Sequence, residues 1–419
     1  MPRVLLVAAT TGYQIRSFHD AASRCGLELV IASDRCHVLN DPWCDGAIPV
    51  QFHDEDGAVR AIVRVAAARP LSGVVAVGDR PALIAALAAR ALGLRGSPSN
   101  AVRIAGHKLM TRTRLHEAGL PSPWFTSVPI GRPVGEIVDR VTYPCVVKPL
   151  TLAASRGVMR ADTLQALDTA LERLRRLLQL PDVRAMRDPA HNTALIEEYV
   201  PGREVTIEGV VTGGTLQVFA IFDKPDPLDG PFFEETIYVT PPLSEVDQQR
   251  VTRHVAEAVA AFGLTDGPIH AECRLTDLSM HVIEVAARPI GGLCSKALRF
   301  MGPTSDRVSL EEVLLRHAVG EPVTGYRREP GASGVLMIPI PEEGRYKRTA
   351  GMDEAQTVSG IEEIIITMKP GQWVRKLPEG AAYLGFIFAR ADRAADAVVA
   401  LREAHRRLRF EITPSLSVV

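Results

Sequence analysis

The sequence predicts a mixed chain, α/β at its N-terminus and α+β beyond, with a doubly wound parallel sheet first and antiparallel hairpins later. Three patterns point there. Apolar runs alternate with helical segments from Arg3 to Leu92, as parallel strands joined by crossover helices do. From Tyr143 to Val285, strand-like stretches pair off around turns rich in Gly, Pro, Asp and Ser. After Gly302, short β segments follow one another until a last helix from Ala394 to Arg407.

With 419 residues the chain can form roughly two to four domains with sizeable cores. Hydrophobic residues make up 46% and charged residues 23%, an ordinary soluble composition. A formal net charge of −1 argues against nucleic-acid or membrane-surface partners. The cysteines (Cys25, Cys36, Cys44, Cys145, Cys273, Cys294) are scattered without a CxxC pair, so reduced thiols and a cytoplasmic location are expected. Val4 to Ala9 is apolar but too short for a signal or a membrane span.

Arg3 to Ala9 reads as a buried strand, Tyr13 to Cys25 as a helix, and Leu27 to Ser33 as the next strand. Val59 to Ala68 is helical, Gly73 to Val77 is another strand, and Pro81 to Leu92 is an Ala/Leu-rich helix. Thr10-Thr11-Gly12 stands where a phosphate-binding turn would sit, but GxGxxG is absent, which speaks against a dehydrogenase. Asp79 follows the C-terminal end of a strand, where ligands bind in such sheets. The preferred reading at this level is an N-cap for the helix beginning at Arg80-Pro81.

Ser97-Pro98-Ser99 marks a boundary. A helix is expected from Asn100 to Ala118, closed by Gly119, with Pro121 and Pro123 preventing its continuation. Lys108 lies in it and, alone, reads as a solvated charge. Tyr143 to Pro149 is a short strand ending in Lys148, a less common place for a merely exposed lysine. Thr151 to Val158, with Ala154 and Ser155, is small enough for backbone N–H groups to approach a phosphate. It also suits an ordinary loop into the helix from Thr163 to Leu178. Gln179 to Asn192 looks like a surface insertion. Ala194 to Glu208 then reads strand, turn, strand. It presents Glu197, Glu198, Tyr199 and Val200 at an edge of the kind adenine recognition needs, with Glu204 placed to reach vicinal hydroxyls.

Leu216 to Phe222 and Glu235 to Thr240 are further strands, and Ser244 caps an amphipathic helix to Phe262. Next comes the stretch from Ile269 to Gly292. His270 to Arg274 and His281 to Val285 alternate polar and apolar residues around a turn at Thr276 to Ser279. Pairing these strands brings Glu272 and Glu284 side by side, with Arg288 four residues on. Adjacent carboxylates repel unless a cation joins them, and Mg²⁺ carrying a polyphosphate suits this trio. The alternative is a half-buried hairpin whose acids face solvent. Beyond Gly302, Ser309 to Val319 is helical, Gly334 to Ile340 and Ile361 to Met368 are strands, and Tyr383 to Arg390 is a strand suited to docking on an existing sheet.

In order, Lys108 with TRTRLHEAGLPSP, YPCVVKP, the small-residue loop, IEEYVPGRE, HAECR and HVIEVAARPIGG resemble the ATP-grasp superfamily over about residues 3 to 300. FFEETIYVTPP, EVAARPIGG and YLGFIFARA resemble its carboxylate–amine ligases, the L-amino-acid ligases and carnosine synthase. Biotin carboxylases and purine-pathway ligases share the core and stand as alternatives, as does an inactive nucleotide-binding regulatory protein.

The resemblance implies an N-terminal doubly wound domain (residues 1–98), a two-part ATP-grasp nucleotide-binding core (99–304, lid about 124–203) and a C-terminal α+β module (305–419) packed on the core. It implies ATP and two Mg²⁺ ions, with Mn²⁺ as a substitute. The expected partners are small amino-acid-like substrates, and a homodimer is a candidate state. Lys108 and Lys148 match the phosphate lysines, and Ala154 and Ser155 the lid loop. Glu197 to Val200 match the adenine hinge, Glu204 the ribose acid, and Glu272 and Glu284 the metal ligands. Arg288 matches the arginine at the transferring phosphate, with Gly291-Gly292 beside it for the oxyanion. Glu235 matches an acid near the metals and the amine-substrate pocket. Asp79 and Glu235 are both candidates to take the amine's proton. Ala286 stands where many relatives have a metal-binding asparagine, and Tyr238 where they have a histidine, which should reshape the substrate pocket.

Overall fold

A computed structural model of the chain describes all residues except 11, 35–46, 134, 136–138, 140, 242, 277–278 and 415–419. Thr11, Cys36, Cys44 and the middle of the Thr276–Ser279 turn therefore lie outside the described residues.

The strand Arg3–Ala8 is buried along its whole length because helices cover both faces of its sheet. Leu5 and Val7 pack with Ile62, Ile84 and Ala88, whereas Val4, Leu6 and Ala8 pack with Phe18, Ala21 and Leu314. This is the two-residue period of a strand read on two apolar sides. Its sheet is parallel, in the order Ile48–Pro49, Glu28–Ser33, Arg3–Ala8, Gly73–Val77.

The helix expected from Asn100 to Ala118 is two helices, Ser99–Ala105 and Lys108–Glu117. Gly106 ends the first, and His107 is extended and accepts the Met110 N–H through Nδ1. The break moves Lys108 from a helix face to a helix start. There its backbone N–H donates to Leu150 O (2.9 Å) and its ammonium to Leu152 O (2.8 Å).

A small antiparallel sheet follows, in the order Phe125–Pro129, Thr193–Glu198, Cys145–Pro149, Met159–Ala161. Helix Leu164–Leu178 covers it with Leu167, Ala170, Leu174 and Leu177, one apolar stripe at helical spacing.

The central sheet has eight antiparallel strands: Met280–Ala286, Gly267–Leu275, Arg203–Thr212, Thr215–Asp223, Ile237–Thr240, Ala332–Ile338, Gly385–Ala391 and Ile361–Ile366. Residues beyond 305 thus continue the same hydrogen-bonded ladder, with Ile237–Thr240 pairing Ala332–Ile338. On the strands nearest the hairpin, Val205, Ile207, Ile269, Ala271 and Cys273 pack on helix Glu245–Phe262 through Val251, Val255 and Val259. Alternation then sends Glu204, His270, Glu272 and Arg274 to the opposite face.

Candidate functional site

That polar face forms one wall of a cavity of about 430 Å³. The N-terminal domain contributes Asp79, the small antiparallel sheet Lys148 and Glu197, and the C-terminal segment Met337 and Tyr383. Lys108, Ala154, Ser155, Glu198, Tyr199, Val200, Glu204, Glu235, Tyr238, Glu272, Glu284, Arg288, Gly291 and Gly292 line it too. The candidate binding and catalytic residues named from the sequence therefore border one space, whereas Ala286 does not.

Glu272 and Glu284 are direct partners across the hairpin, with a bulge just after Glu272. Both are partly exposed to the cavity, 20% and 23% by side chain. Lys108 Nζ stands 3.6 Å from Glu284 Oε2. These are hard, hydrogen-bond-poor oxygens facing an open volume, a donor set that fits a divalent cation. Ala286 is buried in the same strand, paired with His270, and offers no oxygen from its side chain.

Asp79 is not an N-cap. Gly78 occupies that position (φ 100°), where a positive φ favours glycine, and Asp79 is the first helical residue. Its Oδ1 accepts from Arg288 Nε at 2.7 Å. Burial alone would raise the Asp79 carboxyl, but the Arg288 charge overrides this and holds it below its ordinary value.

The Glu197 carboxylate is taken up by charge partners within the fold. Its carboxylate is buried, touches Lys148 Nζ, and accepts from Arg112 Nε at 2.8 Å. Arg112 is itself buried and donates onward to Val282 O (3.3 Å) and Ile283 O (2.9 Å) of the hairpin. Burial pushes Glu197 up, but the Arg112 and Lys148 charges win and hold it at about 2. Glu197 thus aims Lys148 and, through Arg112, ties the small sheet to the strand Met280–Ala286. The neighbouring Tyr199 ring is flanked by the Arg160 guanidinium at 4.2 Å and stacks with Phe233 at 6.4 Å.

Ala154 and Ser155 have φ of 55° and 53°, and Gly157 follows at 76°. Ala154 and Ser155 form the centre of a tight turn closed by Arg156 N donating to Ala153 O at 3.3 Å, and both border the cavity. The loop is fastened from the far side: Gly157 N donates to Pro378 O and Arg156 Nε to Glu379 O, both at 2.9 Å. Arg173 grips the Glu379 carboxylate with two hydrogen bonds of 2.6 and 2.8 Å.

Sequence reasoning passed over a second set of residues. Lys224 is buried, donates to Glu204 Oε1 at 2.6 Å and contacts Glu235 Oε1. Arg274 Nε donates to the other Glu204 oxygen at 2.8 Å, and its Nη1 to Val200 O at 2.8 Å. Tyr238 Oη donates to Glu235 Oε2 at 2.7 Å. His270 joins Glu208 on one side and Glu272 (3.4 Å) on the other. Burial disfavours its charge, but the Glu208 carboxylate prevails and raises it to about 9. Glu208 Oε2 accepts from Ile290 N (3.0 Å), and Gln14 Nε2 donates to Ile290 O (2.5 Å), fixing the segment between Arg288 and Gly292. Two of these residues carried a readable signal. Lys224-Pro225 repeats the strand-end Lys148-Pro149 pattern, and Arg274 shares a strand face with Glu272.

Three domain models match the chain. The ATP-grasp N-terminal domain covers residues 19–96, the ATP-grasp domain 141–297, and the L-amino acid ligase C-terminal domain 2 residues 336–413. Alanine–anticapsin ligase from Bacillus subtilis is 26% identical over 57% of this chain and 53% of its own length. Carnosine synthase 1 from Homo sapiens is 27% identical over 69% of this chain and 36% of its own length. The chain thus spans about half or less of these two relatives. The crystal structure of an L-amino acid ligase from Bacillus licheniformis superposes with a TM-score of 0.83 over 99% of both chains, at 24% identity, a likeness of fold.

Proposed function

Since the chain is an ATP-grasp protein, by domain content and by fold, we propose that it is an ATP-dependent ligase joining the carboxylate of one amino-acid-like substrate to the amine of another. One observation carries the reading. A single cavity is bordered by Lys108, Lys148 and Arg288, by the facing acids Glu272 and Glu284, and by a further acid, Glu235, with Tyr238 and Tyr383.

A carboxylate is a poor acyl donor because oxide is a poor leaving group. Phosphorylation by ATP releases ADP and gives an acyl phosphate, which the amine then attacks to leave an amide and phosphate. Phosphoryl transfer depends mainly on positioning and charge neutralisation. Lys108 and Lys148 supply fixed positive charge for the phosphates, and Ala154 and Ser155 supply backbone N–H groups above them. Glu204 is set for the ribose hydroxyls, and Tyr199 and Val200 for the base. Glu272 and Glu284 are the proposed holders of Mg²⁺, two ions in our reading, which when bound neutralise phosphate oxygens. Arg288, steadied by Asp79, points its remaining N–H groups at the transferred group, with Gly291 and Gly292 beside it.

The attacking amine must be neutral. The Arg288 charge holds the Asp79 carboxyl below its ordinary value, whereas burial, acting against the Lys224 charge, raises that of Glu235, so Glu235 is the better proton acceptor. The described cysteines Cys25, Cys145, Cys273 and Cys294 are free, in keeping with a reducing compartment. Among the described residues no helix is long and apolar enough to cross a membrane.

The test is phosphate release from ATP with pairs of amino acids, and mass spectrometry for a new amide. Amide product with stoichiometric phosphate supports the ligase. Turnover that needs bicarbonate and yields no amide across the panel would transfer the assignment to a carboxylase.

A further inference from the structure

Lys224 follows the strand Thr215–Asp223 and precedes Pro225. Its side chain is 3% exposed, yet its ammonium stands among three carboxylates. Glu204 Oε1 lies 2.6 Å from Nζ, Glu235 Oε1 is in contact, and Glu272 Oε1 is 3.6 Å away. The Tyr238 ring lies alongside, its centroid 5.2 Å from Nζ. The three carboxylates offer oxygens within 4.8 Å of one another, close enough to share a divalent cation. A lysine tethered to the chain holds that position instead.

This changes what each acid is free to do. Three carboxylates this close repel one another strongly without a cation. A metal ion among them would draw all three into its coordination shell. An ammonium neutralises the group through hydrogen bonds and leaves each acid on its own strand or loop. Glu204 then keeps its second oxygen on Arg274, and Glu235 keeps its second oxygen on Tyr238. Of the three, Glu272 is the one paired in register with Glu284.

We propose that Lys224 is a positioning residue, a built-in cation that excludes metal from the Glu204–Glu235–Glu272 cluster. It thereby confines the divalent ion to the Glu272–Glu284 side and reserves Glu235 for the substrate amine and Glu204 for the ribose. The partner roles rest on the ligase reading above; the exclusion of metal does not.

The experiment compares the full chain with its Lys224→Ala, Lys224→Gln and Lys224→Arg variants. Mn²⁺ is counted by electron paramagnetic resonance without nucleotide, and kcat and KM are measured with substrates. The neutral variants should bind one more Mn²⁺ per chain than the parent and lose about 100-fold in kcat. Lys224→Arg should gain no Mn²⁺ and recover most of kcat, and methylammonium should partly rescue Lys224→Ala. If Lys224→Ala does not fold, Lys224→Gln, which keeps hydrogen-bond donors, gives the same two readings. An unchanged Mn²⁺ count in the neutral variants overturns the proposal, and so does a gained site with parental kcat. A parent inactive with every amino-acid pair would sink the ligase reading alone, leaving the Mn²⁺ count to judge this one.

Discussion

Arg288 Nε donates to Asp79 Oδ1 at 2.7 Å, joining residues 209 positions apart in the chain. The pair fastens the N-terminal domain to the end of the Glu272–Glu284 hairpin; Arg288 Nη1 also donates to Pro289 O at 3.0 Å, which leaves Nη2 available. Asp79→Ala should therefore loosen Arg288 without removing it. We expect kcat/KM to fall by about 10- to 100-fold, as when a supporting partner of a site group is lost. Urea unfolding should show a loss of about 3 kcal/mol, because the pair is largely buried. Parental kinetics in Asp79→Ala would mean that Arg288 needs no support.

Glu284→Gln should keep the fold and lower turnover by about 100-fold or more, since one of two facing carboxylates becomes a neutral amide. Thermal melting should match the parent within a few degrees, while Mn²⁺ binding in the presence of ADP weakens. Equal turnover in the variant would remove Glu284 from the metal site.

The Glu197 cluster predicts a pH dependence of stability. Its carboxyl has an ordinary value of 4.5 and is held at about 2 in the fold. A depressed carboxyl contributes stability that is fully present above its unfolded value and fades as pH falls through the folded value. The parent should therefore lose stability between about pH 4.5 and pH 2 in part through this residue. Glu197→Gln should be less stable at pH 7, by about 3–5 kcal/mol, because Arg112 and Lys148 lose their counter-charge. Its urea midpoint should also change less between pH 5 and pH 3 than the parent's. Identical acid profiles for the two proteins would contradict this account.

The Arg173–Glu379 pair fastens helix Leu164–Leu178 to the C-terminal segment whose Pro378 and Glu379 carbonyls hold the Ala154–Gly157 loop. Both groups are partly exposed, so the contact is worth about 0.5–1 kcal/mol after screening. Glu379→Ala should raise the KM for ATP by roughly two- to fivefold and speed proteolysis within residues 150–158. Cleavage at the parental rate would show that the loop closes without this anchor.

Much of the site was legible because strand alternation is a local rule. His270 to Arg274 and His281 to Val285 told where Glu272 and Glu284 face, and the register agrees. Lys148 stood out as a charge ending an apolar strand. Lys224 carried the same Lys-Pro pattern and was passed over, because its reason for burial is three acids on other segments. The Glu197 strand is legible in the sequence, but the residue's charge partner Arg112 lies 85 positions away, beyond any local pattern. Asp79 reads as a cap for the same reason: its nearest sequence neighbours offer a helix start, while its partner comes from the far side of the fold. The break at Gly106–His107 depended on a histidine cap that composition does not advertise.

The shared eight-stranded sheet has a consequence for handling the protein. Cutting the chain ahead of Ala332 would strip the cover from Ile237–Thr240, the strand that directly follows Glu235 and carries Tyr238. Its unpaired backbone groups would become an open edge, ready to recruit a strand from another molecule. A truncated protein should therefore self-associate and precipitate rather than persist as a smaller ATP-binding core.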